Sequence, residues 1–565
     1  LGNATYLGVY MLFHVFVAAL LLLEEKKGKD SDFSLTFAYW TVIALNTFVL
    51  FFTATRGAIL GLLGGVVLAG ILYFFSARVR FTWHVGAAIG VLVILVGGFW
   101  VIRDTSFVQQ VGPLARLASI SFSERTIVSR FMNAGMAWEG FKERPLLGWG
   151  QENYAVVFDK NYNPEMYAQE PWFDRVHNVI FDWLVAGGLL GLISDLALSG
   201  PSLFALWRSA TFDLKERSVL TGLFAGYFFY LLFTFDNIMS YVLFFAFLAY
   251  IATRSGVSAT PVLEESVAPS SYLPVIAAGM AIFAVMSIWS VNGTALAANR
   301  ALILALSPQS AGYGTNLEYF KEAISYNSFG TQEAREHLSQ AASQLANPAL
   351  KVPENIRNDF LQTAAAEMTF QMEDSPLNAR FPLFLAILLD AHGAYADAQA
   401  PLAKAHELSP RKQSILFEMG LNAYARGDME GAFKSFKDAR DLAPGFVEAQ
   451  VLYFAFAVRA GKLEDVQNDL VAFLQKGETF DERLLSAFAS QNRFDLIILN
   501  AESRIQRAPE EVQPHLTKAA AEYVLQKRDA SIATLENLKK VVPGATAQAD
   551  SLIAEIKNGT LKIGE

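Results

Sequence analysis

Residues 53–75 read TATRGAILGLLGGVVLAGILYFF and carry a single charge, on Arg56. Residues 58–75 are apolar, and as an α-helix these 18 residues would cover most of the hydrocarbon layer of a membrane. The stretch therefore predicts a membrane-spanning helix with an arginine just before it. Gly57, Gly61 and Gly65 lie four residues apart, which predicts close packing against a neighbouring helix that would hold Arg56 inward. An Arg56 that snorkels to lipid headgroups is the alternative interpretation.

On both sides of this helix, further stretches are apolar and long enough to span a membrane as helices. They lie at residues 6–23, 33–52, 85–102, 178–199, 219–235, 238–253 and 272–291. The sequence therefore predicts an all-α protein with a polytopic transmembrane helix bundle. We expect the bundle at residues 1–255, a linker at 256–271, an extra transmembrane helix at 272–291 and a soluble domain at 292–565.

The basic residues of the short loops predict the orientation of these helices, because Lys and Arg collect on the cytoplasmic side. They follow every second span: Lys26, Lys27, Lys29, Arg78, Arg80, Arg208, Lys215, Arg217 and Arg254. The linker at 256–271 is then cytoplasmic, whereas the loop at residues 103–176 and the domain at 292–565 both lie on the outer face.

Residues 379–480 repeat with a period of 34 residues. The recurring positions are Gly393, Gly427 and Gly461; Ala398, Ala432 and Val466; Leu402, Phe436 and Leu470; Ala405 and Ala439; and Pro410 and Pro444. The small residue lets two antiparallel helices approach, the large one fills the gap, and proline ends the second helix. The pattern resembles the tetratricopeptide repeat, most specifically at residues 413–446, and predicts a soluble α-solenoid of that type. Such a solenoid is either a spacer or assembly platform, or a dedicated receptor for a peptide or partner protein.

The overall composition excludes several kinds of site. The chain has no cysteine, so disulfides, thiolate metal sites and cysteine nucleophiles are excluded. The formal net charge is −9 and no basic stripe with interleaved aromatic residues occurs, which argues against nucleic acid as a partner. No cluster of His and Asp with metal-ligand spacing is evident, so we expect a metal-independent protein without a cofactor.

A second candidate arginine lies in the long loop. Residues 123–144 have a helical pattern that Pro145 ends, with an apolar stripe of Ile127, Phe131, Ala134, Trp138 and Phe141. Arg130 lies at the edge of this stripe, so an amphipathic helix on the membrane would place it near lipid phosphates. Packing against the rest of the protein is an equal alternative.

The third candidate is His177, in the stretch WFDRVHN at residues 172–178, just before the next span. Its imidazole titrates near neutrality and can take a proton from a hydroxyl group. The alternative is that His177 or Asn178 only caps the helix. Trp138, Asp174 and Arg175 are further candidate substrate-binding residues.

Together, Arg56, Arg130 and His177 fit one chemistry. Two guanidinium groups can bind a pyrophosphate through forked hydrogen bonds and stabilise the negative charge that grows on it as a sugar bond breaks. A neutral His177 can then activate an acceptor hydroxyl. We therefore assign these three as candidate catalytic residues, with the two arginines also binding substrate in place of a divalent cation.

The motifs around these residues resemble the O-antigen ligase and polymerase superfamily. They are LGNATYLG at residues 1–8, TATRG at 53–57, Ser129 and Arg130 leading to Trp138, ERPLLGWG at 143–150 with Asn153 and Tyr154, His177 with Asn178, and GGLLG at 187–191. The resemblance covers about residues 1–250, and PLLGWG followed by the His-Asn pair is its most specific part.

The resemblance implies a membrane glycosyltransferase of the GT-C type in the cytoplasmic membrane of a bacterium. Such enzymes transfer a glycan from an undecaprenyl-pyrophosphate carrier to an acceptor on the outer face. The acceptor is a lipid core, a protein or a growing polysaccharide, and the essential residues of the family map onto Arg56, Arg130 and His177. Family members have more spans before the large loop than this chain, so further spans are expected ahead of Leu1.

Two other functions remain as alternatives at this stage. A transporter or flippase for lipid-linked sugars predicts charged or broken helices near the centre of the bilayer. A non-catalytic scaffold that anchors the repeat domain to the membrane leaves Arg56, Arg130 and His177 without a purpose.

Overall fold

The computed structural model describes residues 2–28, 31–76, 97–121, 124–169, 171–256 and 272–561. Residues 85–96 of the predicted span at 85–102 therefore lie outside the described residues, whereas 97–102 are helical; the predicted linker at 256–271 lies outside them except for Gly256. Within the described parts the chain is helical and contains no strand. It divides into two compact units, Leu1–Asn161 with Ala168–Ala284, and Tyr162–Tyr167 with Val285–Glu565.

The helices of the first unit include most of the predicted spans. They are α1 (Ala4–Glu25), α2 (Phe33–Phe52), α3 (Arg56–Ser76), α4 (Ser106–Gln110), α5 (Gly112–Ala118), α6 (Arg125–Glu143), α7 (Tyr154–Lys160), α8 (Val179–Arg208), α9 (Leu214–Leu231) and α10 (Ile238–Arg254). A further long helix, α11 (Leu273–Leu306), begins at the predicted extra span and continues well past residue 291. The prediction was shorter because the apolar stretch of a sequence indicates the part of a helix that suits lipid and does not indicate the residue at which the helix ends.

Five of these helices, α1, α2, α3, α8 and α11, are long and apolar enough to cross a membrane, and α10 is a shorter apolar helix. The predicted span at 219–235 corresponds to α9, which is not among the five and begins earlier, at Leu214. Its start is fixed by a capping box between Asp213 and Glu216, which places charged residues in the first turn. The apolar helices indicate an integral membrane protein.

The glycine ridge of α3 packs backbone-close against α9, as its spacing predicts. A Cβ atom added at Gly61 would lie 2.5 Å from the carbonyl oxygen of Gly226, and one added at Gly226 would lie 2.6 Å from the carbonyl oxygen of Gly61. Gly65 and Gly222 face each other one turn further along. This packing is possible only without side chains, and it fixes the first residue of α3, Arg56, beside the last turn of α9.

Ion pairs at the other end of the bundle define its polarity. Lys27, after α1, lies 2.9 Å from the buried carboxylate of Glu216 at the start of α9. Arg254, at the end of α10, lies 2.8 Å from the same carboxylate. The opposite end therefore carries the start of α1, Arg56 at the start of α3, and the turn at residues 232–237 between α9 and α10.

The second unit is a succession of short helices joined by tight turns. After α11 they are α12 (Tyr313–Ser325), α13 (Thr331–Leu345), α14 (Glu354–Asp374), α15 (Arg380–Ala391), α16 (Gln399–Leu408), α17 (Gln413–Ala425), α18 (Met429–Leu442), α19 (Val447–Arg459), α20 (Leu463–Gln475), α21 (Glu482–Ser490), α22 (Phe494–Arg507), α23 (Val512–Val524), α24 (Arg528–Val541) and α25 (Thr546–Asn558). Gly393, Gly427 and Gly461 each adopt positive φ just after α15, α17 and α19, where glycine allows a helix to end. Between α17 and α18 a Cβ atom on Gly420 would lie 2.6 Å from the ring of Phe436, so these two helices approach closely at this point.

The glycine ridge gives a direct test of the bundle. We expect Gly61→Ala to lower the stability of the detergent-solubilised protein by about 1–3 kcal/mol, because its methyl group would collide with the Gly226 carbonyl. Gly64→Ala, three residues further along the same helix, is the control. Nothing lies within 4 Å of a Cβ atom there, so thermal unfolding should show no loss. Equal effects of the two substitutions would contradict the packing of α3 on α9.

Candidate functional site

The turn that introduces Arg56 is held by its own side chains and by α1. Ala54 adopts φ +53, and the hydroxyl of Thr53 donates to the carbonyl of Leu50 at 2.6 Å. Gly8 of α1 packs against this turn, since a Cβ atom there would lie 3.1 Å from Cβ of Ala58 and 3.3 Å from Oγ1 of Thr53. The two sequence motifs at residues 1–8 and 53–57 are therefore packing partners.

The Arg56 side chain extends from the start of α3 to Ser119 and Glu124, between α5 and α6. One guanidinium nitrogen, Nη1, donates to the carboxylate of Glu124, and Nη2 donates to Oγ of Ser119 at 2.9 Å. Glu124 is the residue just before α6, which carries Arg130. Arg56 is thus paired within the protein, and the interpretation of an arginine that only snorkels to lipid is not the arrangement found.

Arg130 belongs to the same electrostatic group. Burial and the positive charge of Arg56 lower the pKa of the Arg130 guanidinium, and the charge of Glu124 partly offsets this. Although burial alone would raise the pKa of Glu124, its hydrogen bonds from Arg56 and Thr126 and the charges of both arginines hold it below its ordinary value. Glu124 is thus paired with Arg56 and also lies in the field of Arg130, so the formal charge of these three residues together is +1. Such a group attracts an anion.

The helix that carries Arg130, α6, extends over Arg125–Glu143 as predicted, but its apolar stripe is not its buried face. Phe131 is 67% exposed and Trp138 is 46% exposed, whereas the buried positions are Ser129, Asn133, Met136, Ala137 and Gly140. On the buried side the hydroxyl of Tyr154 donates to Oδ1 of Asn133 at 3.0 Å. The exposed apolar stripe favours a helix with one face toward lipid.

Trp138 lies on this exposed stripe, with its ring 5.2 Å from that of Phe141. Arg130 instead reaches the turn between α9 and α10, where its guanidinium carbon lies 5.9 Å from the ring centre of Phe233. A role for Trp138 in substrate binding stays a prediction.

His177 reaches the same turn from the other side. Its ring lies edge-on to Phe235, with ring centres 5.1 Å apart, and also contacts Phe173. Its Nδ1 atom lies 3.0 Å from the carbonyl oxygen of Arg175. His177 adopts φ +62, a left-handed conformation that is uncommon for a residue with a side chain.

The helix cap next to His177 is Asn178 and not the histidine itself. The Asn178 side-chain oxygen accepts from the backbone nitrogens of Ile180 and Phe181, which caps α8. Its amide nitrogen donates to the carbonyl oxygen of Leu232 at 3.0 Å, and so ties the start of α8 to the end of α9. The capping role therefore belongs to Asn178, and His177 keeps a side chain that capping does not use.

Arg175 is bound to a carboxylate of the protein. Its guanidinium donates through two nitrogens to Asp182 and through Nη1 to Glu152 at 3.0 Å. Burial alone would lower the pKa of Arg175, but the bonds and charge of Asp182 raise it above its ordinary value. Asp182 also accepts from the backbone nitrogen of Val176 at 3.2 Å. The pair therefore fixes the turn that carries His177, while the neighbouring Asp174 is exposed.

The motif PLLGWG at residues 145–150 pairs with a break in α8. Gly188, within α8, has φ +62 and ψ −158, a conformation essentially restricted to glycine. Backbone groups on both sides of the break form hydrogen bonds with the motif. The backbone nitrogens of Trp149 and Gly150 donate to the carbonyl oxygens of Val185 at 2.7 Å and Ala186 at 2.9 Å, respectively. The backbone nitrogen of Leu189 donates to the carbonyl oxygen of Pro145 at 2.8 Å. Gly148 and Gly188 touch, since a Cβ atom on either would lie 2.7 Å from a backbone nitrogen of the other segment.

Residues 41–194 match the family model of the O-antigen ligases. This supports the resemblance to the O-antigen ligase superfamily and indicates a membrane enzyme of glycosyltransferase type with a lipid-linked sugar donor. No curated protein matches the chain. The matched segment, residues 41–194, includes Arg56, Glu124, Arg130 and His177, and both halves of the pairing between Gly148 and Gly188.

The bend of α8 encloses an apolar cleft of about 350 Å³ against α9. Its walls are Val179, Ile180, Leu192, Asp195 and Leu196 of α8, and Ala225, Phe228, Phe229 and Leu232 near the end of α9. Val179 and Leu192 lie on opposite sides of the break at Gly188, so the cleft exists because the helix is broken. It begins beside the hydrogen bond between Asn178 and Leu232, next to His177.

Sequence reasoning missed several residues of this site. Phe233 and Phe235 lie beyond the matched residues 41–194, and nothing local distinguishes them from the other aromatic residues of the spans. Glu124 reads as an ordinary residue before a helix, although an acidic group near two arginines is a possible partner. Asp182 carried the clearest signal, because a carboxylate in an apolar span requires a partner.

The break in α8 gives a matched pair of variants. We expect Gly188→Ala to lower the thermal stability of the solubilised protein by about 1–3 kcal/mol, because alanine must adopt a strained backbone against Leu147. Gly187→Ala is the control, since its Cβ atom would meet only the Trp183 ring at 3.7 Å. If Gly188→Ala unfolds like Gly187→Ala, the backbone pairing does not hold the bend.

Proposed function

We propose that this protein transfers a glycan from an undecaprenyl-pyrophosphate carrier to an acceptor on the outer face of the cytoplasmic membrane. The observation that carries the proposal is the shared electrostatic group of Arg56, Glu124 and Arg130, at the end of the bundle where His177 also lies. The match of residues 41–194 to the O-antigen ligases supports the same class of reaction.

The diphosphate of the donor would replace Glu124 as the partner of the arginines. Arg56 and Arg130 would donate hydrogen bonds to its oxygens, and Glu124 would move aside or bind Ser119 and Thr126 instead. As the bond between the sugar and the phosphate breaks, negative charge grows on the diphosphate, and two fixed guanidinium groups stabilise that charge more than they stabilise the bound donor. We expect the reaction to need no metal, because the arginines supply the positive charge.

The prenyl chain of the donor would enter the cleft between α8 and α9. A cleft of about 350 Å³ is at the lower end of the range of ligand sites, so it would hold the first isoprene units and leave the rest in lipid. Each buried methylene group contributes about 0.8 kcal/mol, which orients the carrier with its diphosphate toward Asn178 and His177.

His177 would act on the acceptor. When its Nδ1 carries the proton and donates to the Arg175 carbonyl, the lone pair lies on Nε2, which can accept a proton from an acceptor hydroxyl. Arg175 and Asp182 position this histidine through the turn that they fix, so we assign Arg175 a positioning role beside its predicted role in substrate binding. The acceptor itself is a lipid, a protein or a growing glycan.

The polarity of the bundle supports the proposed orientation. Lys27 and Arg254 lie at the end opposite to Arg56, and basic residues of short loops mark the cytoplasmic side. This supports a site on the outer face, where a lipid-linked glycan is presented. The loop at 103–176 and the domain at 292–565 are proposed to lie on that face as well, with the repeat domain of tetratricopeptide type.

Arg130→Ala in the full-length protein should lower glycan transfer from a polyprenyl-pyrophosphate donor by about 100-fold or more, since one of two charges on the diphosphate is lost. Arg125→Ala, an exposed arginine on the same helix, is the matched control and should keep near-normal transfer. The assay measures glycan released from the donor in liposomes. A transporter would still move the donor lipid across the bilayer in the Arg130 variant, and normal transfer by Arg130→Ala would refute the site.

The role of His177 is best tested with His177→Asn. Asparagine tolerates the left-handed backbone at this position but cannot act as a base, so we expect a normal fold and a loss of transfer of about 100-fold to 10,000-fold. His177→Ala would add backbone strain and confuse the two effects. Thermal unfolding serves as the control for folding, and retention of full transfer by a stable His177→Asn would exclude the histidine from the reaction.

A further inference from the structure

A short piece of the long loop is part of the second compact unit. Residues Tyr162–Tyr167 group with Val285–Glu565, although their neighbours in sequence on both sides belong to the first unit. Tyr162 is 5% exposed and Met166 is 1% exposed, and Pro164 is buried as well. Such burial is unusual for a loop, since a loop normally lies on the surface with its side chains in water.

Two aromatic contacts hold this segment, and they use the same position of two consecutive repeats. Nζ of Lys412 lies 4.4 Å from the ring centre of Tyr162. The ring of Phe446 stacks on Tyr167, with ring centres 4.3 Å apart and planes 11° apart. Lys412 and Phe446 are separated by 34 residues, the period of the repeat, and each is the residue just before the first helix of its repeat, α17 or α19.

A polar contact lies between these two. The side-chain nitrogen of Gln413 donates to the carbonyl oxygen of Pro164 at 2.9 Å. Lys412 and Gln413 are each only 2% exposed. A buried ammonium group is costly unless it is well partnered, and the face of an aromatic ring is one such partner. Lys412 and Gln413 thus contact the segment from buried positions, one through an aromatic ring and the other through a backbone carbonyl.

We infer that the edge of the repeat domain formed by Lys412, Gln413 and Phe446 is a recognition surface for a short peptide with a 3-10 turn and two aromatic side chains five residues apart. Its resident ligand is segment Tyr162–Tyr167 of the same chain. The ring of Tyr162 contacts the ammonium group of Lys412 at one repeat, and the ring of Tyr167 stacks on Phe446 at the next. Gln413 donates a hydrogen bond to the backbone between them.

Covalent attachment makes this ligand effective. A tethered segment acts at an effective concentration in the millimolar range, so weak individual contacts suffice to keep the surface occupied. A peptide from another protein competes only when it binds more tightly than the tethered segment or when that segment is released. The repeat domain thus has a partner within its own chain.

Cross-linking tests the register of the segment. The chain has no cysteine, so introduced cysteines are the only thiols. We expect Tyr167→Cys with Phe446→Cys to be joined by a short bis-maleimide reagent in the full-length protein. Tyr167→Cys with Phe480→Cys is the control, because Phe480 occupies the same position one period later. Equal cross-linking of the two pairs would overturn the assignment of register.

Peptide binding tests the recognition itself. The probe is a fluorescent peptide of residues 160–169, KNYNPEMYAQ, added to the solubilised full-length protein. The variant Tyr162→Ala with Tyr167→Ala weakens the resident segment, so it should bind the probe at least about tenfold more tightly than the wild type does. A probe with both tyrosines replaced by alanine should not bind.

Two further variants keep this result interpretable. Tyr162→Phe with Tyr167→Phe retains both rings, so it should bind the probe as weakly as the wild type. Adding Lys412→Ala and Phe446→Ala to the double alanine variant should abolish binding. If the double alanine variant binds the probe no better than the wild type, or binds it equally well without Lys412 and Phe446, the recognition surface is refuted.

Discussion

The membrane unit depends on a helix that is broken at a defined place. A break in a membrane helix exposes backbone groups that lipid cannot satisfy, so it persists only where another segment supplies the missing hydrogen bonds. Here the loop around Gly148 supplies them to α8 around Gly188, and each glycine is required because the two backbones touch. The bend creates the apolar cleft, and it directs the start of α8, with Asn178 and His177, toward the end of α9.

The second constraint is the approach of α3 to α9, and it depends on the same property of glycine. With no side chains between them, the two backbones come close enough for Arg56 to lie beside the turn that carries Phe233 and Phe235. The arginine pair and the histidine thus belong to one end of the bundle because glycines occupy two separate helix contacts. The candidate reactive residues are the arginines and the histidine, whereas the close packing depends on the glycines, although both kinds of residue lie in the same short motifs.

Much of this could be predicted from the sequence, because the signals are local. The length and composition of the apolar stretches predict the spans, the spacing of Gly61 and Gly65 predicts close packing, and Pro145 correctly predicts the end of α6. The sequence did not predict which residues contact one another. The sequence does not say that Gly222 and Gly226 face α3, or that Glu124 pairs with an arginine 68 positions away. The apolar stripe of α6 faces outward because, beside a membrane, an apolar face can be satisfied by lipid as well as by protein.

The carboxylate of Glu124 has a consequence for what the arginines accept. Guanidinium groups without a counter-ion at a bilayer surface would also bind the phosphates of ordinary phospholipids. The carboxylate of Glu124 lowers the net affinity of Arg56 for any other anion, because that anion must compete with an ion pair that is already formed. A single phosphodiester carries one negative charge, the same as the carboxylate, and gains little by the exchange. In the proposed reaction a diphosphate would carry more charge and would bind both arginines at once. Glu124 would then select against the ordinary lipids of the membrane.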